Sequence, residues 1–169
     1  LPFPDRAFDA VVSVLGAMFA PDQRRTAAEM MRVCRGGGTI ALANWTPEGF
    51  IGQLFRTVGA HVPPPAGLTP PPLWGDEDHV RELFGDGVRD LRARRREYTW
   101  RFTSPEEFVD LFREFYGPTA VAFGALEPEG RDALAADLAA LARRFDRNGG
   151  GGRGADSRDP ASRLQPSLE

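Results

Sequence analysis

Residues 1–45, LPFPDRAFDAVVSVLGAMFAPDQRRTAAEMMRVCRGGGTIALANW, carry the pattern that decides the fold. The run from Phe8 to Leu15 is almost continuously apolar, which is typical of a parallel strand covered on both faces. An apolar helical stripe follows between residues 27 and 34, and we expect the three glycines at 36–38 to end that helix. A second strand is predicted from Thr39 to Trp45. Two strands joined by one helix predict a right-handed βαβ unit with parallel strands.

The middle of the chain predicts further elements in sequence. Thr46, Pro47 and Glu48 are typical of a helix start, and the helix that follows should end near Gly59. The proline-rich residues 63–72 should be extended, and a short helix should follow at about 76–84. Further on, apolar and polar residues alternate. This alternation predicts a third strand with one buried face, formed by Tyr98, Trp100 and Phe102.

The C-terminal part predicts a helical region between about 104 and 146. Ser104, Pro105 and Glu107 form a capping box with proline at the first helical position. Helically spaced apolar residues then predict two buried stripes, which consist of Phe108, Leu111, Phe112 and Phe115, and of Leu134, Leu138, Leu141 and Phe145. After Asn148 the chain is rich in glycine and polar residues, so we expect a disordered tail over 148–169.

Composition excludes several classes of protein. The 169 residues suit one domain, and a net charge of −3 gives no electrostatic reason to expect nucleic acid or an anionic membrane as partner. No apolar run approaches the roughly 20 residues of a membrane span, and no signal segment opens the chain. The single Cys34 excludes an internal disulfide. A cytoplasmic location is therefore the default expectation, and the oligomeric state stays open.

Four phrases of the sequence, in this order and spacing, resemble one enzyme family. They are LPFPD with FD, the strand that ends SVLGAMFAPD, the helix that ends RVCRGGG, and the strand TIALANW. Together they resemble class I S-adenosylmethionine-dependent methyltransferases, closest to the small-molecule group that includes the ubiquinone and menaquinone C-methyltransferases. The resemblance covers residues 1 to about 145. It implies S-adenosylmethionine as cofactor and a small-molecule acceptor as substrate.

The resemblance also implies how much of the domain the chain holds. The family's Rossmann-like α/β sheet has seven strands in the order 3-2-1-4-5-7-6, and our strands would be the fourth, fifth and sixth. Residues 1–147 would then be the C-terminal part of the domain, with the N-terminal half missing and a helical insertion towards the C-terminus. The family's glycine-rich loop and ribose-binding acidic residue would lie before Leu1. We therefore expect this chain alone to be inactive.

The resemblance places candidate site residues at two strand ends. Ser13, Leu15, Gly16 and Met18 lie where the family brings its fourth strand against the methionine part of the cofactor. Gly16 is the strongest of them, because glycine at a strand end permits close approach. Leu15 and Met18 have an equal alternative as core residues.

Asn44, Trp45 and Thr46 end the next parallel strand and are the candidate acceptor-binding residues. Thr46 has a favoured alternative as a helix cap. Trp45, together with Trp74, would line an apolar acceptor pocket or belong to the core, and the core is the commoner place for large aromatics.

Other motifs have simpler interpretations. The glycines at 36–38 precede a strand rather than a helix, so they are not a phosphate loop. The arginines at 92–96 have acidic neighbours and suit a solvated strand face better than nucleic acid. His61 and His79 are isolated, and no metal site is expected. No catalytic acid or base is assigned, and the alternative function is that of a non-catalytic remnant or partner-binding module.

Overall fold

The computed structural model describes residues 1–146, in which helices pack against one face of a small parallel sheet. The predicted tail at 148–169 lies outside the described residues. In chain order the elements are β1 (Phe8–Val14), α1 (Gln23–Val33), β2 (Cys34–Ala43), α2 (Phe50–His61), α3 (Glu77–Phe84), α4 (Pro105–Phe115), α5 (Gly117–Ala125) and α6 (Pro128–Phe145).

The predicted βαβ unit is confirmed. Strands β1 and β2 pair in parallel from Ala10 with Thr39 to Val14 with Ala43. Helix α1 joins them and begins where the Asp22 carboxylate accepts a hydrogen bond from the Arg25 amide. Because consecutive parallel strands need such a crossover, the α/β prediction holds for this part of the chain.

We expected the three glycines at 36–38 to end α1, but they do not. The helix ends at Val33 because Cys34 already has an extended backbone, and the glycines lie inside β2. Two of these glycines are required by the structure, one for lack of room for a side chain and one for its backbone conformation. A Cβ on Gly38 would lie 2.7 Å from the Asp9 carbonyl oxygen of β1, and Gly37 has a φ of 75°. The glycines therefore serve the irregular start of the strand pair, where the register shifts.

The expectation that both faces of the sheet are covered is wrong for the described residues. One face packs against α1 and α3 through Val11, Ile40 and Leu42. On the other face Val12 is 66% exposed and Val14 is 68% exposed. The sequence pattern could not reveal the uncovered face. An apolar run indicates that a strand can be buried on both faces, but not whether another element covers each face.

The predicted third strand is also wrong. Residues 91–102 contain no helix, strand, turn or bend. The predicted alternation of faces holds for Trp100 and Phe102, which are half-buried while Thr99 and Arg101 are exposed, but it is wrong for Tyr98, which is 64% exposed. A strand requires a hydrogen-bonded neighbour as well as alternation, and no described residue supplies one.

The helical region forms the larger hydrophobic core. Helices α2, α4, α5 and α6 contribute its buried residues, among them Leu54, Phe108, Phe112, Leu134 and Leu138. The two predicted stripes are therefore confirmed at their centres, including Leu141. They are wrong at Leu111, Phe115 and Phe145, which are exposed because the buried face of α4 is completed by Val109 instead and α6 ends at Phe145.

The opening phrase LPFPD is held by α1. The Arg32 guanidinium donates hydrogen bonds to the Phe3 carbonyl at 2.9 Å and to the Asp5 carboxylate at 2.7 Å. The Arg6 amide in turn donates to the Arg32 carbonyl at 2.8 Å. Two of the phrases that carried the resemblance therefore contact one another, and the contact fixes how the chain enters β1.

Candidate functional site

The two candidate loops begin side by side at one edge of the sheet. Val14 pairs with Ala43 in the last register position of the ladder. The Leu15 amide then donates a hydrogen bond to the Ala43 carbonyl at 2.8 Å. Because both strands run in the same direction, the residues that follow them leave the same edge, which is where open α/β sheets bind ligands. The structure therefore brings residues 15–18 and 44–46 together.

The loop after β1 has an unusual backbone at Leu15. Its φ is 56°, in the left-handed region, which costs a non-glycine residue about 1–2 kcal/mol. A hydrogen bond of 2.9 Å from the Ala17 amide to the Ser13 hydroxyl oxygen stabilises the tight turn. Strain of this kind concentrates at ligand-binding sites, so the backbone conformation supports Leu15, as well as Gly16, as a candidate ligand-binding residue.

Accessibility separates the members of this loop. Gly16 is exposed and Leu15 is half-buried, so both can meet a ligand. Met18 is only 1% exposed and packs in the core cluster that contains Trp74 and Phe84. The position of Met18 therefore matches its alternative as a core residue. Gly16 has a right-handed φ of −98°, and a Cβ there would meet nothing closer than the Ser13 hydroxyl oxygen at 3.5 Å. Neither conformation nor packing requires glycine at this position.

The loop after β2 is fixed by Asn44. Its side-chain amide donates to the Trp74 carbonyl at 3.1 Å. Two buried polar atoms, the Asn44 carbonyl oxygen Oδ1 and the Trp74 indole nitrogen, have no hydrogen-bond partner among residues 1–146. Unpartnered buried polar groups are costly, so they mark positions where a ligand or an ordered water would be favourable.

Two glycines missed by the sequence reasoning hold the same loop. A Cβ on Gly75 would overlap the Trp45 carbonyl oxygen, and a Cβ on Gly52 would overlap the Thr46 carbonyl oxygen. The backbone of residues 45–46 is thus enclosed from two sides. No local pattern signals a glycine of this kind, because the group that excludes the side chain lies about 6 residues away for Gly52 and about 30 away for Gly75.

Thr46 shapes the turn that leads into α2. Its hydroxyl oxygen accepts a hydrogen bond from the Gly49 amide at 3.1 Å. Gly49, rather than Thr46, is the N-cap of α2, so the predicted cap lies three residues before the actual one. The hydroxyl is therefore used in the turn before the helix and not as the helix cap that was expected, and the Thr46 backbone remains at the sheet edge.

Trp45 and Trp74 have different surroundings. Trp74 is 2% exposed and contacts Phe84 with a ring separation of 6.2 Å, so it belongs to the core. Trp45 is half-buried and lies 6.3 Å from the Tyr98 ring and 6.1 Å from the Trp100 ring. Tyr98 and Trp100 are 5.1 Å apart. We call these three residues, Trp45, Tyr98 and Trp100, the aromatic corner.

Among the ionisable groups of the described residues, Glu48 lies close in sequence to the candidate acceptor-binding residues, and its carboxylate is 3.8 Å from the Arg95 guanidinium. Burial raises the pKa of Tyr116 to about 12, so its hydroxyl stays protonated at neutral pH. Each histidine makes a hydrogen bond through its Nε2 atom, His79 to the Gln23 side-chain oxygen at 2.7 Å and His61 to the Asp137 carboxylate at 2.7 Å. Residues 1–146 contain no group of three His, Cys, Asp or Glu side chains that could hold a metal ion. Within the same residues no helix is long and apolar enough to cross a membrane.

Comparison with known proteins supports the family resemblance. The family model described as a methyltransferase domain matches residues 1–42, which comprise β1, α1 and most of β2. The predicted relationship to S-adenosylmethionine-dependent methyltransferases is thereby confirmed. No solved structure matches the chain significantly.

Curated relatives extend the similarity. An uncharacterized protein of Mycobacterium tuberculosis is 46% identical over 149 residues, which are 86% of this chain and 54% of that protein. The demethylmenaquinone methyltransferase of Deinococcus radiodurans is 39% identical over 69 residues, 40% of this chain and 29% of that protein. The phosphatidylethanolamine N-methyltransferase of Cereibacter sphaeroides is 43% identical over 44 residues, 26% of this chain and 22% of that protein. This chain spans about half the length of the mycobacterial relative.

Proposed function

We propose that this chain, whose first 42 residues belong to the methyltransferase domain family, is part of an enzyme that transfers a methyl group from S-adenosylmethionine to a small-molecule acceptor. One observation carries the proposal. The hydrogen bond from the Leu15 amide to the Ala43 carbonyl joins the two strand ends, so a cofactor on one loop and an acceptor on the other would be neighbours.

The two loops have different roles in this proposal. Ser13, Leu15 and Gly16 would contact the cofactor, mainly through backbone groups and the accessible surface at Gly16, and the buried Met18 would support this loop from the core. The surface they form is uncharged and partly apolar, which suits the methionine part of S-adenosylmethionine. When bound, the cofactor supplies an activated methyl group, so this part of the protein contributes chiefly orientation.

The second loop would hold the acceptor. The backbones of Trp45 and Thr46 are enclosed by Gly52 and Gly75, and the Asn44 side chain is hydrogen-bonded to the Trp74 carbonyl, so these positions are fixed before a substrate arrives. Such preorganisation is what an in-line transfer between two bound molecules needs.

The test uses the full-length protein that carries this segment. We expect label transfer from methyl-tritiated S-adenosylmethionine to a small-molecule fraction. Gly16→Val should abolish transfer, because the side chain would occupy the accessible surface where the cofactor approaches. Gly124→Val is the matched control, since nothing lies within 4 Å of a Cβ at that position on α5. Equal losses of activity and melting temperature for Gly16→Val would make Gly16 a structural residue and remove the cofactor assignment.

The isolated chain gives a second test. We propose that the family's glycine-rich loop and acidic residue, which would supply most polar anchors for the cofactor, belong to a part of the protein outside this chain. Isothermal titration should then show no binding of S-adenosylmethionine in the micromolar range. A micromolar dissociation constant would mean that residues 13–18 suffice and that this division of the site is wrong.

A non-catalytic, partner-binding function is the second candidate. It is favoured by the exposed apolar face at Val12 and Val14, which could receive another protein. Methyl transfer by the full-length protein would exclude it. Stable complex formation together with an absence of transfer would support it.

A further inference from the structure

A cleft opens in the helical part of the chain, where α4, α5 and α6 meet. It has a volume of about 480 Å³, and its lining includes Arg113 of α4, Phe123 of α5 and Arg131 of α6. This volume is typical of pockets for small organic molecules rather than for single ions. The cleft shares no lining residue with the loops after β1 and β2 or with the aromatic corner.

The Arg131 guanidinium is anchored through one of its nitrogen atoms. Its Nε atom donates to the Phe123 carbonyl at 2.9 Å and to the Leu126 carbonyl at 2.8 Å, which fixes the side chain beside the end of α5. A guanidinium carries five N–H groups, and these contacts use only the one on Nε. Among the described residues, the two terminal nitrogens of Arg131 have no hydrogen-bond or ion-pair partner. The structure therefore holds these donors in place without giving them an acceptor.

Arg113 is held against the same phenylalanine by a different contact. Its guanidinium carbon lies 4.3 Å from the centre of the Phe123 ring. A cation–π contact of this kind attracts the guanidinium to the ring but supplies no oxygen acceptor for its N–H groups. Within residues 1–146, Arg113 makes no ion pair. Arg113 and Arg131 therefore contact the ring and the backbone of one residue, and both positive charges lie at one cleft.

The charges of the lining favour an anion that can accept from both guanidiniums. Of the lining residues that the structure describes, Asp132 is the only acidic one, against two arginines. A carboxylate has two oxygens, which the fork of a single guanidinium satisfies. A phosphate monoester has three terminal oxygens and a charge of about −1.5 to −2, so it can accept from two guanidiniums at once.

We propose that this cleft binds the phosphate group of a small phosphorylated organic molecule, and that Arg113 and Arg131 are its phosphate-binding residues. Two anchored guanidiniums supply charge-assisted hydrogen bonds to the phosphate. Ala120 and Pro128 add apolar surface that can contact the organic part of the ligand. A small molecule fits better than a nucleic acid, because the whole chain has a net charge of −3 and the cleft offers only two cations. Ligand binding here is independent of the methyl transfer proposed above.

Isothermal titration calorimetry of this chain at low salt measures the binding. The probes are phenyl phosphate, benzoate and benzyl alcohol, which share one ring and differ in their polar group. We expect phenyl phosphate to bind at least about fivefold more tightly than benzoate, and benzyl alcohol not to bind saturably. Saturating phenyl phosphate should also raise the melting temperature, because a ligand that binds only the folded chain stabilises it.

Glutamine variants test the two arginines. Arg113→Gln and Arg131→Gln should each weaken phenyl phosphate binding by about three- to tenfold, through the loss of charge-assisted hydrogen bonds. The matched control is Arg144→Gln. Arg144 also lies over a phenylalanine ring, that of Phe145 at 5.7 Å, but it does not line the cleft. This control should leave the affinity for phenyl phosphate unchanged.

A variant that strengthens binding separates recognition from folding, since Arg131→Gln also removes contacts to the backbone. Asp132→Asn removes the negative charge of the lining and should tighten phenyl phosphate binding by about two- to threefold. Damage to the fold cannot produce such a gain. Asp86→Asn makes the same change at an exposed residue outside the cleft and should have no effect.

Four results would each overturn the assignment. They are an absence of saturable phenyl phosphate binding, equal affinities for phenyl phosphate and benzoate, equal effects of Arg113→Gln and Arg144→Gln, and an Asp132→Asn variant that binds no more tightly than Asp86→Asn. Retention on phosphatidylcholine vesicles that contain phosphatidic acid, without binding of phenyl phosphate, would replace the small molecule with a membrane surface. Displacement of phenyl phosphate by a tightly bound single-stranded RNA oligonucleotide would replace it with nucleic acid.

Discussion

Gly16 and Gly75 flank the same sheet edge, yet their backbones place opposite demands on the residue type. A Cβ on Gly16 would make an ordinary contact of 3.5 Å with the Ser13 hydroxyl oxygen, whereas a Cβ on Gly75 would overlap the backbone of Trp45. Packing therefore does not require glycine at position 16, where a ligand can approach, whereas it does require glycine at position 75.

We therefore expect Gly16→Ala to change the free energy of unfolding of this chain by no more than about 0.5 kcal/mol, as for other surface substitutions. Gly75→Ala should cost about 1–3 kcal/mol, because the loop must move to admit the methyl group. Urea unfolding followed by circular dichroism compares the two. Similar losses would show that the loop after β1 is packed as tightly as the loop after β2.

Glu29 provides a pH-dependent contribution to stability. Hydrogen bonds from the Arg32 guanidinium lower the pKa of its carboxyl group. Since the folded-state pKa lies below the unfolded value of about 4.3, this contribution is present above pH 4.3 and is lost as the pH falls towards 2. Glu29→Gln should therefore lower the melting temperature at pH 6 and flatten its decline between pH 5 and 2. An unchanged acid profile would show that the ion pair does not contribute.

Helix starts were the most predictable elements, because their signals are local. Ser104 accepts a hydrogen bond from the Glu107 amide at 3.0 Å, as the capping box predicted. The Glu107 carboxylate accepts hydrogen bonds from the Thr103 hydroxyl at 2.7 Å and from the Thr103 amide. In the standard motif it would accept from the amide of the N-cap residue, which is one residue later. The sequence was misleading where a prediction required a distant partner, as for the strand at Tyr98 to Phe102 and the buried stripe at Phe115.

The same dependence limited the site prediction. Adjacent loops at residues 15 and 44 followed from the βαβ pattern, since parallel strands end at one edge. The left-handed backbone of Leu15 and the close approach of Gly52 and Gly75 could not be predicted, because they arise from contacts between segments that are far apart in sequence.

Ser104→Ala tests the cap of α4 directly. Loss of the hydroxyl leaves the Glu107 amide without its partner, so we expect a cost of about 1 kcal/mol in the free energy of unfolding. Thr99→Ala is the control, because Thr99 is an exposed residue outside any helix or strand. Chemical denaturation of both variants gives the comparison, and equal stabilities would mean that Pro105 and the helix packing alone define the start of α4.

Hydrogen exchange tests the absence of a third strand. The amides of residues 98–102 make no ladder with another strand among the described residues, whereas those of β1 are paired with β2. We expect the first group to exchange within seconds and the second to be protected for much longer. Protection of 98–102 equal to that of residues 11–14 would show that this segment is hydrogen-bonded after all.

The two hydrophobic clusters divide the chain between them. The smaller cluster lies under one face of the sheet and includes Trp74 and Met18, and the larger lies among α2, α4, α5 and α6. Trp45 packs against both. The acceptor-side loop is therefore positioned at the junction of the two clusters, so stability of the helical part and geometry of the site are linked through one side chain.

The uncovered face of the sheet should govern the behaviour of the chain in solution. Val12 and Val14 are more than 60% exposed and lie on the same side of a strand whose outer edge has no neighbour among the described residues. Exposed apolar faces and open strand edges favour association. We expect this chain to bind the dye ANS and to self-associate with increasing concentration, as measured by sedimentation velocity. Replacing both residues, Val12→Thr with Val14→Thr, should weaken both effects, because threonine keeps the branched shape and adds a hydroxyl. Val121→Thr on α5, where the valine is also exposed, is the matched control and should leave both unchanged. If the control and the double variant behave alike, the helical surface and not the sheet face is the source of association.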